Sequence, residues 1–260
     1  MLDAKRLLDQ FLGGQQGSQL GQPAPQGQSQ FGDIARNIGT SLSGNLGGLN
    51  LGGIGGGALA GGLVGILLGT KQGRKIAGTA ATVGGMALVG ALAYGAYRNW
   101  QAGQAPAQGT ARASVPLLPP PRDTPFNPAS ETEQQSLGLS LMRAMIAAAK
   151  SDGHVDATEQ ANIFAQLDKL DLSAEEKAFV LDELRKPLDV DAVARGARTP
   201  EQAAEIYVAS LLAIDVDNPA ERGYLAMLAA RLKLDEKLVA HLHATVEGAA
   251  QQAIPVQAAS

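Results

Sequence analysis

The chain has no cysteine. Disulfide scaffolds, thiolate nucleophiles and cysteine-ligated metals are excluded, and the redox compartment stays open. Aromatic side chains are scarce, at 4% of 260 residues, which removes the stacking surfaces that single-stranded nucleic acids need. Charge is missing from two long stretches, Asn37 to Thr70 and Ile76 to Tyr97. A P-loop is also missing, because no glycine run leads into Lys followed by Ser or Thr. No Gly-x-Ser-x-Gly elbow occurs either.

What is present is unevenly spread. Of the 32 glycines, 27 lie in residues 1–109, and seven of the 13 prolines lie in 106–128. Residues 1–129 carry nine Lys/Arg against four Asp/Glu, and residues 130–260 carry 12 against 21. Two differently built halves are joined by a proline-rich strip. The acidic sign of the second half argues against nucleic acid as a partner.

Residues 1–14 read as a short amphipathic helix with Leu7, Leu8, Phe11 and Leu12 on one face and Gly13 as its stop. They lack the apolar core of a secretory signal. A membrane or partner surface for this face and a helix that frays alone are both open readings. Residues 15–48 are Gly, Gln and Ser-rich linker.

Residues 49–98 are predicted to form a glycine-rich membrane region. Ile76 to Tyr97 is 22 uncharged residues, with Tyr94, Tyr97, Trp100 and Arg98 at its far end. At about 1.5 Å per residue it matches a ~30 Å hydrocarbon core, with aromatics at the boundary. Over 51–70, Gly53, Gly57, Gly61, Gly65 and Gly69 recur every fourth residue, and Gly73 extends the series. Such stripes let membrane helices approach closely. Spans at 76–97 alone, or at 51–70 and 76–97 as a hairpin, are the alternatives. With Lys71, Arg74 and Lys75 held in the cytoplasm, both place the acidic half outside. Residues 99–130 are predicted to be an extended proline-rich spacer.

Residues 131–250 have helical apolar spacing, with helices predicted near 133–151, 157–170, 174–186, 188–196, 200–215, 219–232 and 236–250; 251–260 is a tail. Four starts carry a capping residue followed by Glu or Gln: Asp156 with Glu159, Ser173 with Glu176, Thr199 with Gln202, and Asn218 with Glu221. Pro200 and Pro219 fit first helical turns. An internal echo about 62 residues apart pairs the Asp152–Glu159 turn with the Asp215–Glu221 turn. Together Asp152, Asp156, Glu159, Asp215, Asp217 and Glu221 form an oxygen-only set suited to Ca²⁺, Mg²⁺ or Mn²⁺. A local EF-hand is excluded, because Ala148 and Lys150 stand where its first ligands belong. The same acids also serve as helix caps without any ion. His241 and His243, two apart, point to different helix faces and make no zinc pair.

The stretch Ala149-Lys150-Ser151-Asp152-Gly153-His154-Val155-Asp156-Ala157-Thr158-Glu159 resembles the first acidic loop of TerB-like (tellurite-resistance-type) helical domains. With Lys5–Gly14, the glycine-rich span and the Asp215, Glu221, Tyr224-Leu225 segment, the chain resembles the YebE-like bacterial inner-membrane proteins of unknown function. The resemblance implies an all-α architecture: a TerB-like bundle of about seven short helices behind a glycine-rich transmembrane helix or hairpin. It implies an inner-membrane location, no established reaction, and divalent-ion binding through the acids. The expected role is a membrane-anchored, non-enzymatic interaction or sensor module, modulated by a divalent cation. Its partners would be the lipid bilayer and, through the glycine stripe, a second copy or another membrane protein. The alternative is a structural envelope component whose acidic turns only cap helices.

Overall fold

The structure, a computed structural model, describes residues 2–13, 84–106, 119–151, 172–214, 216 and 219–252. Among these residues it is all-helical, with one isolated bridge between Thr124 and Asn127 and no strand. The described helices are α1 (Ala4–Gly13), α2 (Gly85–Gln101), α3 (Glu131–Ala149), α4 (Ala174–Arg185), α5 (Val190–Ala194), α6 (Pro200–Leu212), α7 (Pro219–Arg231) and α8 (Glu236–Gln252).

Six of the seven helices expected in 131–250 occur within a few residues of their expected limits; that at 157–170 lies outside the described residues. The caps explain the agreement. The Ser173 hydroxyl accepts from the Glu176 N–H at 3.2 Å, and the Glu176 carboxylate accepts from the Ser173 N–H at 2.8 Å. This reciprocal pair satisfies two orphan donors at the start of α4. Ser173→Ala is expected to cost about 1 kcal/mol, read as a lower urea midpoint at unchanged slope. Thr199 accepts from the Gln202 N–H as predicted, but Gln202 reaches back to the Arg198 N–H rather than to Thr199.

Helix α6 is the hub. Every residue from Ala203 to Leu212 is buried, and α2, α3, α5, α7 and α8 pack around it. Both α3 and α6 bury several alanines, Ala144, Ala147 and Ala148 on one and Ala203, Ala204 and Ala209 on the other, and the two helices pack together. A helix apolar on all sides needs neighbours on all sides.

Two parts set apart by the sequence join this core. Helix α2 covers the second half of the expected 76–97 span, and buries Leu88, Val89, Leu92, Ala93 and Ala96 against α1, α6 and α8. No described helix is long and apolar enough to cross a membrane; residues 51–83 lie outside the described residues. Helix α1 lies between α2 and α3. Its Leu7 and Leu8 are fully buried and Leu12 nearly so, so the apolar face that asked for a membrane or a partner finds one within the chain.

The seat of α1 is cut by two glycines. A Cβ on Gly85 would stand 2.6 Å from the Leu8 carbonyl oxygen and 2.8 Å from Leu12 Cβ, and one on Gly138 would stand 3.0 Å from Ala4 Cβ. Side chains fix the register. Gln135 accepts from the Ala4 N–H at 2.7 Å and donates to Asp3 at 3.2 Å. Helix α2 begins at Gly84, whose φ of +87° suits glycine and which has no side chain to cap with. The cap comes from α1 instead, where Asp9 accepts from the Met86 N–H at 3.3 Å.

The proline strip also departs from the expected extended spacer. Residues 107–118 lie outside the described residues, but 119–128 form a packed strap with Pro120, Phe126 and Pro128 buried. Asp123 and Asn127 bond each other's stretch through the backbone, and Asn127 donates to the Pro120 carbonyl. Phe126 supplies the reason: its ring meets Tyr94 and Tyr97 edge-on, each at 5.6 Å. An aromatic anchor of that size outweighs the extended preference of the prolines around it.

Candidate functional site

Of the six acidic residues expected to ligate a cation, five lie outside the described residues: Asp152, Asp156, Glu159, Asp215 and Asp217. Glu221 is half-buried in the first turn of α7, where a negative charge stabilises the helix. Among the described residues, no three His, Asp or Glu side chains are placed to hold a metal ion.

The histidines do more than the sequence suggests. His154 lies outside the described residues. His241 is buried and its Nε2–H donates to the Gln104 carbonyl at 3.0 Å, tying α8 to the end of α2. His243 Nε2 and the Tyr207 hydroxyl are hydrogen-bonded at 2.9 Å. Burial pushes the Tyr207 phenol up to about 12 and pulls His243 below the usual imidazole range, with Glu247 opposing the latter. Both groups are neutral at pH 7, and together they join α6 to α8.

A cleft of about 370 Å³ opens between α3, the end of α4 and α5. Ile146, Ala147, Pro187, Leu188 and Val193 give it an apolar lining, and Arg143, Lys150 and Lys186 line it with positive charge. Leu188 is 40% exposed. Glu183 organises the cations, accepting from Arg143 at 3.1 Å and Lys186 at 2.7 Å. Burial alone would raise the Glu183 carboxyl, but these two cations outweigh it and hold it below the ordinary range. Lys150 reaches across from the end of α3 and donates to the Glu183 and Lys186 carbonyls. Those are the last carbonyls of α4, where a cation complements the helix dipole. The sequence read Lys150 only as a charge that spoils a calcium loop; its role as a clamp depends on residues over 30 positions away.

A second unforeseen residue is Glu205. It sits mid-way along α6, fully enclosed, and neither carboxyl oxygen has a hydrogen-bond partner among the described residues. The signal was present as a lone glutamate within the apolar run Ala203 to Leu212, where unpaired charge is rarely tolerated.

The profile of a family described as protein of unknown function (DUF533) matches residues 53–246. A relative described as "Uncharacterized protein in ampR 5'region", from Yersinia enterocolitica, is 35% identical over 96 residues, or 37% of this chain and 69% of the relative. No solved structure matches.

Proposed function

We propose for this chain, which belongs to the DUF533 family of proteins of unknown function, a role as a non-enzymatic helical interaction module held at the bacterial inner membrane by the residues between α1 and α2. One observation carries the reading. Leu12 lies against Gly85, and Asp9 caps α2. The end of α1 and the start of α2 therefore meet at one corner of the bundle. The sequence between them contains the uncharged, glycine-striped run 51–70 and the cations Lys71, Arg74 and Lys75. Its composition suits lipid and anionic headgroups.

Seating of α1 against α2 and α3 supports a same-side arrangement, in which both ends of the chain stand on one face of the membrane. Commitment of residues 85–97 to the bundle core supports attachment through 51–83 rather than through a span at 76–97. The resemblance to YebE-like and TerB-like proteins supports the inner membrane and an interaction role. The partly buried polar pairs Tyr207 with His243 and His241 with the Gln104 carbonyl join helices to one another, which supports a scaffold over a catalyst. The cleft around Leu188, whose lining sets Arg143, Lys150 and Lys186 against Glu183 and Asp189, is the face we assign to a partner segment.

The absence of native cysteine makes the test clean. Lys5→Cys and Glu236→Cys, both at exposed positions, are to be labelled in the full chain with a membrane-impermeant maleimide, in spheroplasts and after lysis. Equal labelling of the two sites in each condition is expected, with the protein retained in salt-washed membranes. Labelling of one site and protection of the other would overturn the same-side arrangement; release as a free monomer would overturn membrane attachment.

A further inference from the structure

Three pieces of chain meet at Glu205. Helix α6 supplies the carboxyl. Helix α2 passes over it at Gly90, where a Cβ would stand 3.3 Å from Glu205 Oε1, 3.0 Å from the Phe126 carbonyl oxygen and 3.5 Å from Pro120 Cγ. The strap 119–128 supplies the last two groups. The gap left by the missing side chain is thus walled by acceptor oxygens, and neither Glu205 oxygen is bonded.

Among the described residues, no cation offsets the carboxyl. The charged group that acts on it is Glu201, one turn earlier on the same helix. Helix α2 brings Tyr97, which interacts with Glu201, and Arg98, exposed over the Tyr94 ring. The strap brings Arg122 and Asp123, both exposed. From α8 come His243 and, acting on it, Glu247, directed at Tyr207. Helix α7 brings Tyr224 towards Ser210, and the buried residues of α3 and α5 are apolar. A carboxylate in such a place would carry an uncompensated charge.

We propose that Glu205 is a proton-operated latch: with its carboxyl protonated, α2 and the strap lie closed on α6, and loss of that proton lifts the strap and uncovers the aromatic cluster of Tyr94, Tyr97, Trp100 and Phe126. Burial first, and Glu201 second, hold the carboxyl well above the ordinary range. The folded state therefore binds this proton more tightly than the unfolded chain. Its contribution is fully present below the unfolded value and is lost as pH rises through the folded value, so closure weakens from mildly acidic pH upward. The moving parts carry their own reporters. Trp100 is the sole tryptophan and packs at a tilt against Tyr97, 5.4 Å between ring centres, and Gly90 leaves the strap room to seat.

The test uses the full chain in membranes. Hydrogen exchange of 119–128, corrected for intrinsic rate, and Trp100 fluorescence are to be followed from about pH 6 to about pH 8.5. Exchange in the strap is expected to rise by up to about tenfold per pH unit between the ordinary carboxyl value and the folded one, and to level off above it, with the Trp100 emission shifting in step. Glu205→Gln is expected to stay closed and flat across the range, and Glu201→Gln, which removes the like charge one turn away, to move the midpoint to lower pH. Gly90→Ala, which crowds the Phe126 carbonyl, is expected to open the strap at every pH. A wild-type profile as flat as that of Glu205→Gln would overturn the latch. So would a strap that opens more readily in Glu205→Gln than in wild type at about pH 8, since the carboxylate would then be holding it shut. Should Glu205→Gln fail to fold, a wild-type strap that stays closed at about pH 8.5 while Gly90→Ala is open would overturn it equally.

Discussion

Gly85→Val is expected to expel α1 from the bundle. The substituted Cβ would meet the Leu8 carbonyl at 2.6 Å and Leu12 Cβ at 2.8 Å. The first contact is with backbone, so no rotamer change relieves it, and the helix must shift as a unit. Overpacking of this kind costs roughly 1–3 kcal/mol, and its ceiling is the free energy of docking α1. That docking buries Leu7, Leu8 and Leu12, at about 1.5–3 kcal/mol each before the entropy of ordering is subtracted. A net loss of about 3 kcal/mol follows, with new protease sensitivity confined to the first residues. Leu8→Asp should do the same, and the two should not add, because either alone empties the seat. Full additivity, or an unchanged melting temperature in Gly85→Val, would show that α1 does not occupy this place.

The second large effect is expected at Leu92. Its side chain is fully buried in α2, which packs on α1, α6 and α8. Leu92→Ala should cost about 2–5 kcal/mol as transfer energy and cavity together. For a domain of this size that lowers the melting temperature by roughly 5–15 °C, read from the Trp100 signal and from helical circular dichroism. The substitution also separates two places for residues 85–97. In lipid, alanine for leucine leaves the remaining helices as stable as before, because nothing packed on them is lost. In the bundle, the whole cooperative transition moves. An unmoved transition would return these residues to the membrane.

The C-terminal helices were legible because their signals are local. Ser173 and Thr199 mark starts through contacts three residues away, and Pro200 and Pro219 sit in first turns. Leu141, Met145, Val180, Ile206, Leu211, Leu225 and Leu228 are buried, and helical apolar spacing is enough to mark their faces. What escaped the sequence depends on long-range packing. A 22-residue uncharged run fits lipid and fits the middle of a bundle equally well; what decides for 85–97 is that α1, α6 and α8 cover it. Pro116 to Pro128 promised an extended spacer, and the pairing of Phe126 with Tyr94 and Tyr97 across about 30 residues cannot be read from spacing. Glu205 was passed over for the same reason: a lone acid in an apolar run shows its environment only when Gly90 and the Phe126 carbonyl are brought to it.

The seat of α1 sets an order of events at the ribosome. Helix α1 is made about 130 residues before the α3 face at Gly138 against which Ala4 sits, roughly ten seconds at ordinary rates of synthesis. Throughout that wait the leucine face lacks its α3 wall, and the glycine-striped run is made before it. The nascent chain can therefore be delivered to its destination before the bundle that finally clasps its first helix exists.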